Sequence, residues 1–364
     1  MRAVLGLLAG LAAVAVGARA APVPLAVVAT SPRLLWNGVA VTGDGRVFVN
    51  FPRLDEGANL SLGELHPDGS VTAYPGGAWN GWKAGADPQA AFVSVNAVHV
   101  GPDGALWVVD NGAVGFLGRQ AVAGSQKIVV IDPKTNAVTR VIGLGAGLLK
   151  PKSAIDDIRF NGGFAYVTDA GAPGLIVLDL KSGIARRVLD RDPSTTARRP
   201  AIVDGKILRG ADGKPASINA DQLEVTPDGQ SLYYQPLSGP MYRVATKLLD
   251  DPSVTPAALS RQVEFWYNTP SLGGTAIDAD GNLYLNDLGS DAVLRLTPER
   301  QLSLVVKDER LHWADAPAFD GHGNLLIPVP QFDRAAPFNH GRSLVHLPVA
   351  LYRLHVGGRA PGNE

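Results

Sequence analysis

A hairpin written six times constrains this chain more than any other feature. Each copy passes from a short apolar strand through a glycine-bearing turn into a second strand of alternating or fully apolar character. The copies are Asn37–Asn50, Asn96–Asp110, Asp156–Asp169, Asp221–Gln235, Gly274–Asp287 and Asp315–Val329. Their turn glycines, Gly45, Gly104, Gly163, Gly229, Gly281 and Gly323, follow one another in steps of 59, 59, 66, 52 and 42 residues. Asp-Gly and related pairs favour tight hairpins because glycine reaches positive φ without a Cβ clash. Most hairpins are followed by two more strand-like runs, such as Lys127–Asp132 with Ala137–Ile142 and Ala292–Leu296 with Leu302–Val306. Four strands per unit and six units predict an all-β fold, a six-bladed β-propeller of four-stranded antiparallel blades. A β-sandwich also spaces its strands evenly, but it does not repeat one hairpin at such a period.

The sixth unit is short of a strand. Leu25–Ala29, ahead of the first repeat, is placed to supply it beside Ala350–Val356, so that the N- and C-terminal strands close the ring and no sheet edge stays open. Pro256–Gln262 reads as the one helix. The long irregular segments Pro75–Ala91, Asn111–Gln126, Asp190–Ile218 and Pro330–Val345 read as covering or functional loops.

Composition narrows the function classes. With 33 Lys+Arg against 34 Asp+Glu there is no basic field to neutralise phosphates, so no nucleic-acid partner is expected. The absence of cysteine excludes disulfides, thiolate metal sites and cysteine nucleophiles. At the N-terminus Arg2, the apolar run Ala3–Val16 and the small-x-small triplet Ala18-Arg19-Ala20 have the form of a secretory signal peptide, and the run is too short for a membrane span. The expected organisation is a signal peptide over 1–20, one propeller domain over 21–358 and a disordered tail over 359–364. The expected location is secreted or periplasmic, with no membrane span after signal cleavage. Oligomeric state is not legible.

Hairpin geometry also localises a candidate site. The first strand of each blade lines the central channel, and the positions that begin it are Asn37, Asn96, Asp156, Asp221, Gly273 and Asp315. These should converge on one mouth, where Asn37, Asn96, Asp156, Asp221 and Asp315 form the candidate ligand-binding set. Asp110, Asp169, Gln235 and Asp287 end the second strands and flank the same opening; there the simpler role, binding free loop N–H groups, is favoured. Three converging carboxylates are unfavourable unless a pKa rises or a cation binds. An oxygen-rich set without Cys or His suits Ca²⁺ or Mg²⁺, with Asn96, Asp156 and Asp221 as candidate ligands. Trp36 and Trp313 lie next to strand starts and offer aromatic walls for a flat ligand. The seven histidines, His99 and His312 among them, read as structural or surface residues. The glycine-rich run Gly143–Gly147 lacks the Lys-Ser/Thr and the helix of a phosphate loop. No catalytic residue is assigned.

Several stretches resemble the major royal jelly protein/Yellow family in its bacterial form. They are Val47–Trp82, Ile155–Leu189, Ala211–Pro215 and Pro330–Arg342. The resemblance covers about Pro32 to Val356. It implies a secreted six-bladed propeller whose relatives include royal jelly proteins, cuticle-pigmentation proteins and salivary binders of biogenic amines, some relatives being credited with dopachrome conversion. The fold is also similar to the gluconolactonase/regucalcin superfamily, where Glu, Asn and Asp hold a divalent cation at the channel mouth. Here Asn37 stands where that Glu would be, and Gly273-Gly274 replaces the fifth-blade Asp. Two readings stay open: a propeller that binds a small aromatic or amine molecule, and a lactonase- or dopachrome tautomerase-like enzyme that uses channel aspartates with or without Ca²⁺ or Mg²⁺.

Overall fold

The computed structural model describes residues 24–54, 60–115, 120–145 and 147–362. The expected signal segment lies outside them. Six four-stranded antiparallel sheets are arranged as blades around a central channel. From the channel outward, blade 1 holds Val39–Val41, Val47–Asn50, Leu62–Leu65 and Val71–Ala73; blade 2 holds Val95–Val100, Leu106–Asp110, Lys127–Asp132 and Ala137–Gly143. Blade 3 holds Ile155–Asn161, Phe164–Asp169, Gly174–Asp179 and Ala185–Val188, and blade 4 Ala220–Val225, Ser231–Pro236, Met241–Ala245 and Glu264–Tyr267. Blade 5 holds Leu272–Ile277, Leu283–Asp287, Ala292–Leu296 and Leu302–Lys307.

Blade 6 closes the ring as the sequence suggests. Ala318–Phe319, Asn324–Val329 and Val349–His355 are completed by Leu25–Ser31, with Leu25 opposite Leu354 and Ser31 opposite Val349. The inner strands of blades 6 and 1 then meet side by side in a parallel bridge between Gly38 and Ala316.

Apolar residues on facing sheets fill the gaps between blades. Trp107 packs edge-on against Phe160 at 5.1 Å between blades 2 and 3, and Tyr166, Leu223 and Leu232 share a core between blades 3 and 4. Middle strands covered on both faces, such as Leu106–Asp110, are buried throughout, which explains their unbroken apolar runs. Five of the six turn glycines adopt positive φ at the expected position; in blade 3 the left-handed residue is Gly162 (φ 54°), one place earlier than Gly163. Among the described residues there are three helices rather than one: Gly77–Asn80, Thr246–Asp250 and Pro256–Ser260. The last begins where Thr255 Oγ1 accepts a hydrogen bond from the Ala258 N–H. No helix among the described residues is long and apolar enough to cross a membrane.

Candidate functional site at the acidic end of the channel

The inner strands of blades 2 to 5 share a device that the repeat alone does not reveal. Each carries a β-bulge at the mouth. Val95 pairs with Asp110 and Ala97 with Val109, leaving Asn96 over. Asp156-Asp157, Asp221-Gln222 and Gly273-Gly274 each stand opposite a single residue of the neighbouring strand. A bulge bends the strand and re-aims its side chains. Asn37, Asn96, Asp156, Asp221 and Asp315 all line one cavity of about 50 Å³.

The glycines of blade 5 have a steric reason. A Cβ on Gly273 would lie 2.1 Å from the Ala314 carbonyl oxygen, and one on Gly274 would lie 2.7 Å from the Ala316 backbone. Blades 5 and 6 approach too closely there for any side chain.

The amides hold the ring in register. Asn37 Nδ2 donates to the Asn96 carbonyl (2.6 Å), and Asn50 Nδ2 to the same oxygen (2.8 Å). Asn96 Nδ2 donates to Asp156 Oδ1, and Gln222 Nε2 to Asp221 Oδ2 at 2.7 Å. Asp315 accepts from Trp313 Nε1 (3.0 Å) and from the Ala316 N–H (2.9 Å). The Asp156 and Asp221 carboxyls are neighbours in the cavity and raise the cost of each other's ionisation. Burial pushes Asp156 up to about 7, and burial together with the Asp156 charge pushes Asp221 well above the usual carboxylate range. Asp315 is also raised well above it, chiefly by burial and against the Trp313 hydrogen bond. No basic side chain lines the cavity, while the Gln222 carbonyl oxygen is buried without a hydrogen-bond partner. Acceptors outnumber donors.

The roof is apolar. Ile218, Leu237, Trp313 and Phe332 cover the carboxylates and belong to one packed cluster with Ala201, Val203 and Leu208. The segment 190–218 supplies part of that cover. Its small hairpin, Ile202–Val203 with Lys206–Ile207, is tied down where the Ile202 N–H donates to Ser271 Oγ (2.8 Å) and the Asp204 N–H to the Leu288 carbonyl (2.9 Å). His312 anchors the other part: its Nε2 lies 2.9 Å from Asp333 and its Nδ1 3.3 Å from Asp291. Trp313 thus sits at the cavity as the sequence suggests, whereas Trp36 is fully buried in the core and donates to the Ala350 carbonyl.

The second-strand residues do not line the cavity. Asp110 accepts from the N–H groups of Val93, Ser94 and Gly112 and pairs with the buried Lys127 at 2.6 Å. Asp169 accepts from three loop N–H groups and from Arg187, and Asp287 binds Gly289 and Ser290. Gln235 accepts from Thr269. These side chains build the loops that frame the mouth.

The donor chemistry is oxygen-only, but its arrangement does not fit a resident cation. Both Asp315 oxygens already accept hydrogen bonds, and Asn96 turns its NH₂ toward Asp156. No group of three acidic or histidine side chains among the described residues has metal-holding geometry.

Sequence reasoning missed Arg159 and Glu224 on the same inner strands. Arg159 binds Glu224 through two parallel hydrogen bonds (3.0 and 2.9 Å) and reaches Asp157 at 2.8 Å. Arg159 follows Asp157 by two positions and Glu224 follows Gln222 by two, the spacing of side chains on one strand face, but that spacing does not pair one strand with the other.

A closed ring of six four-stranded blades with a polar mouth defines the chain as a six-bladed β-propeller. A gluconolactonase from Xanthomonas campestris superposes with a TM-score of 0.56 at 14% identity, covering 91% of this chain and 89% of its own. The calcium-binding protein regucalcin from Agrobacterium tumefaciens gives 0.56 at 15%, covering 93% and 97%. Virginiamycin B lyase from Staphylococcus aureus gives 0.50 at 14%, covering 84% and 96%. At such identities the likeness is one of fold. The family itself is shown by sequence: the pattern described as "Major royal jelly protein" matches residues 93–316, and the chain belongs to that family. No curated protein matches it.

Proposed function

We propose that this is an exported propeller that binds a small molecule through an amine head group at the acidic end of its channel. The observation that carries this reading is the imbalance of the site: Asp156, Asp221, Asp315 and an unpartnered amide oxygen face no basic side chain on the lining, and the nearby Arg159 is taken up by Asp157 and Glu224. A protonated amine brings N–H donors and the missing charge, and Trp313 and Phe332 above it suit a cation. A cavity of about 50 Å³ has room for a group of one to two water volumes, at about 30 Å³ each. The body of a larger ligand therefore has to displace the roof.

Titration calorimetry with tyramine and dopamine tests this. Binding should strengthen as pH rises through about 7, where Asp156 ionises. The double substitution Asp156→Asn/Asp221→Asn should weaken it at least tenfold. Affinity unchanged in that variant removes the site from consideration. Export predicts that the mature chain begins at Ala21, read by N-terminal sequencing.

The raised Asp156 and Asp221 carboxyls, side by side in the cavity, support a second reading, catalysis of proton transfer on a cyclic or aromatic substrate. A carboxyl still protonated near neutrality beside an ionised partner is an acid–base pair. Dopachrome conversion or δ-gluconolactone hydrolysis abolished by Asp156→Asn would favour it; rates at the uncatalysed level in the unsubstituted protein would exclude it.

A further inference from the structure

The opposite end of the channel, where the inner hairpins turn, holds a cavity of about 490 Å³. That lies within the roughly 300–1,000 Å³ typical of small-molecule pockets and is about tenfold larger than the space at the acidic end. Its walls are mainly apolar, with Val41, Val100, Ile277 and Phe319 contributed by four different blades. Its polar floor is Arg159 and Glu224, both nine-tenths buried or more, with Thr275 donating to Glu224 Oε1 at 2.9 Å. The floor holds no free guanidinium: Arg159 grips Glu224 with two hydrogen bonds and also binds Asp157. His99 stands on the wall, stacked on Phe160, and burial beside Arg159 holds it well below its ordinary value, so the ring is neutral. At the rim, Asp44 is bonded to Thr42, and Asp320 to His322 and Asn324 within its own turn. The segment after the last strand completes the funnel: Ala360 and Pro361 line it, and the Arg359 carbonyl accepts from the Ala279 N–H.

We infer that this funnel is a second binding site, distinct from the acidic one, for an uncharged, flat and mainly apolar molecule bearing one hydroxyl or carbonyl group. An anion would find the one guanidinium already bound by two carboxylates, and a cation would find free carboxylates only at the solvent-facing rim, so neither gains a counter-charge where it would be desolvated. A neutral ligand spends apolar surface against the walls and needs only one polar contact at the floor.

Three probes of one shape decide the matter: 4-phenylphenol, biphenyl-4-carboxylate and biphenyl-4-ylmethylammonium, titrated into the full chain by calorimetry. The phenol should bind at least tenfold more tightly than either ion. Val41→Trp and Ala360→Trp each push an indole into the funnel from a different wall, and each should weaken the phenol at least tenfold; either one alone suffices if the other does not fold. The Asp156→Asn/Asp221→Asn variant should keep full affinity for it. The inference fails if the phenol gives no saturable binding, if an ion binds as well, if the folded tryptophan variants retain full affinity, or if the aspartate variant loses it.

Discussion

At one end of the channel Asp156, Asp221 and Asp315 crowd a cavity of about 50 Å³ with no basic side chain on its lining; at the other, Glu224 faces about 490 Å³ with Arg159 bound to it. Both ends bury carboxyls on the same inner strands, Asp156 and Asp157 three and two positions before Arg159, and Asp221 three positions before Glu224. The Arg159 guanidinium compensates Glu224 and reaches Asp157, whereas Asp156, Asp221 and Asp315 are left with protons and with amide, indole and backbone donors. A buried carboxylate with its counter-ion belongs to the framework, whereas buried carboxyls without one are poised to take up a cation.

The sharpest test sets the two kinds of charge against each other. Arg159→Met leaves Glu224 buried and unpaired, and should cost about 3–5 kcal/mol in denaturant unfolding. Asp221→Asn, three positions before Glu224 on the same strand, should have the opposite sign at pH 8 and raise the melting temperature by on the order of 2 °C. Loss of stability in both variants would erase the distinction drawn between the two ends.

A smaller effect follows from pH. A carboxyl whose folded pKa is raised binds more protons in the native state, so its contribution is full below the unfolded value near 3.8 and is lost as pH rises through the folded one. For Asp156 that window runs from about 4 to about 7, and Asp221 and Asp315, also raised, act in the same direction. The melting temperature should fall across this range, and the decline should flatten in Asp156→Asn/Asp221→Asn. The smallest effect expected is that of calcium: millimolar Ca²⁺ should move the melting temperature by less than about 1 °C, since ligands stabilise only in proportion to occupancy. A clear rise that disappears in Asp156→Asn would show that the acidic ring can rearrange around a cation.

The repeat made the blades legible because each hairpin is local: turn chemistry and alternation lie within about 15 residues. It also brought Asn37, Asn96, Asp156, Asp221 and Asp315 to one mouth, since equivalent positions in a closed ring must converge. The bulges were hidden, because an extra residue in a strand changes register without changing composition. So was the Arg159–Glu224 pair, 65 residues apart in sequence and joined only by the bore of the channel. The aromatic walls were half legible: Trp313 lines the cavity, but Trp36 turns into the core, and nothing in its sequence position separates those outcomes. The roof, drawn from long aperiodic loops, has no sequence period to announce it. The shift of the left-handed turn residue from Gly163 to Gly162 reflects two adjacent glycines that sequence alone cannot rank.

The seam in blade 6 joins Leu25–Ser31 to Val349–His355, the first and last strands of the propeller. Five blades can form while the propeller is still being made, yet its first strand must wait for its last before it finds a partner. Until then the wheel has a gap and two bare edges open to stray pairing. A nick or deletion at either extremity should therefore behave less like a trimmed end than like a drawn bolt, loosening blade 6 and both openings of the channel together.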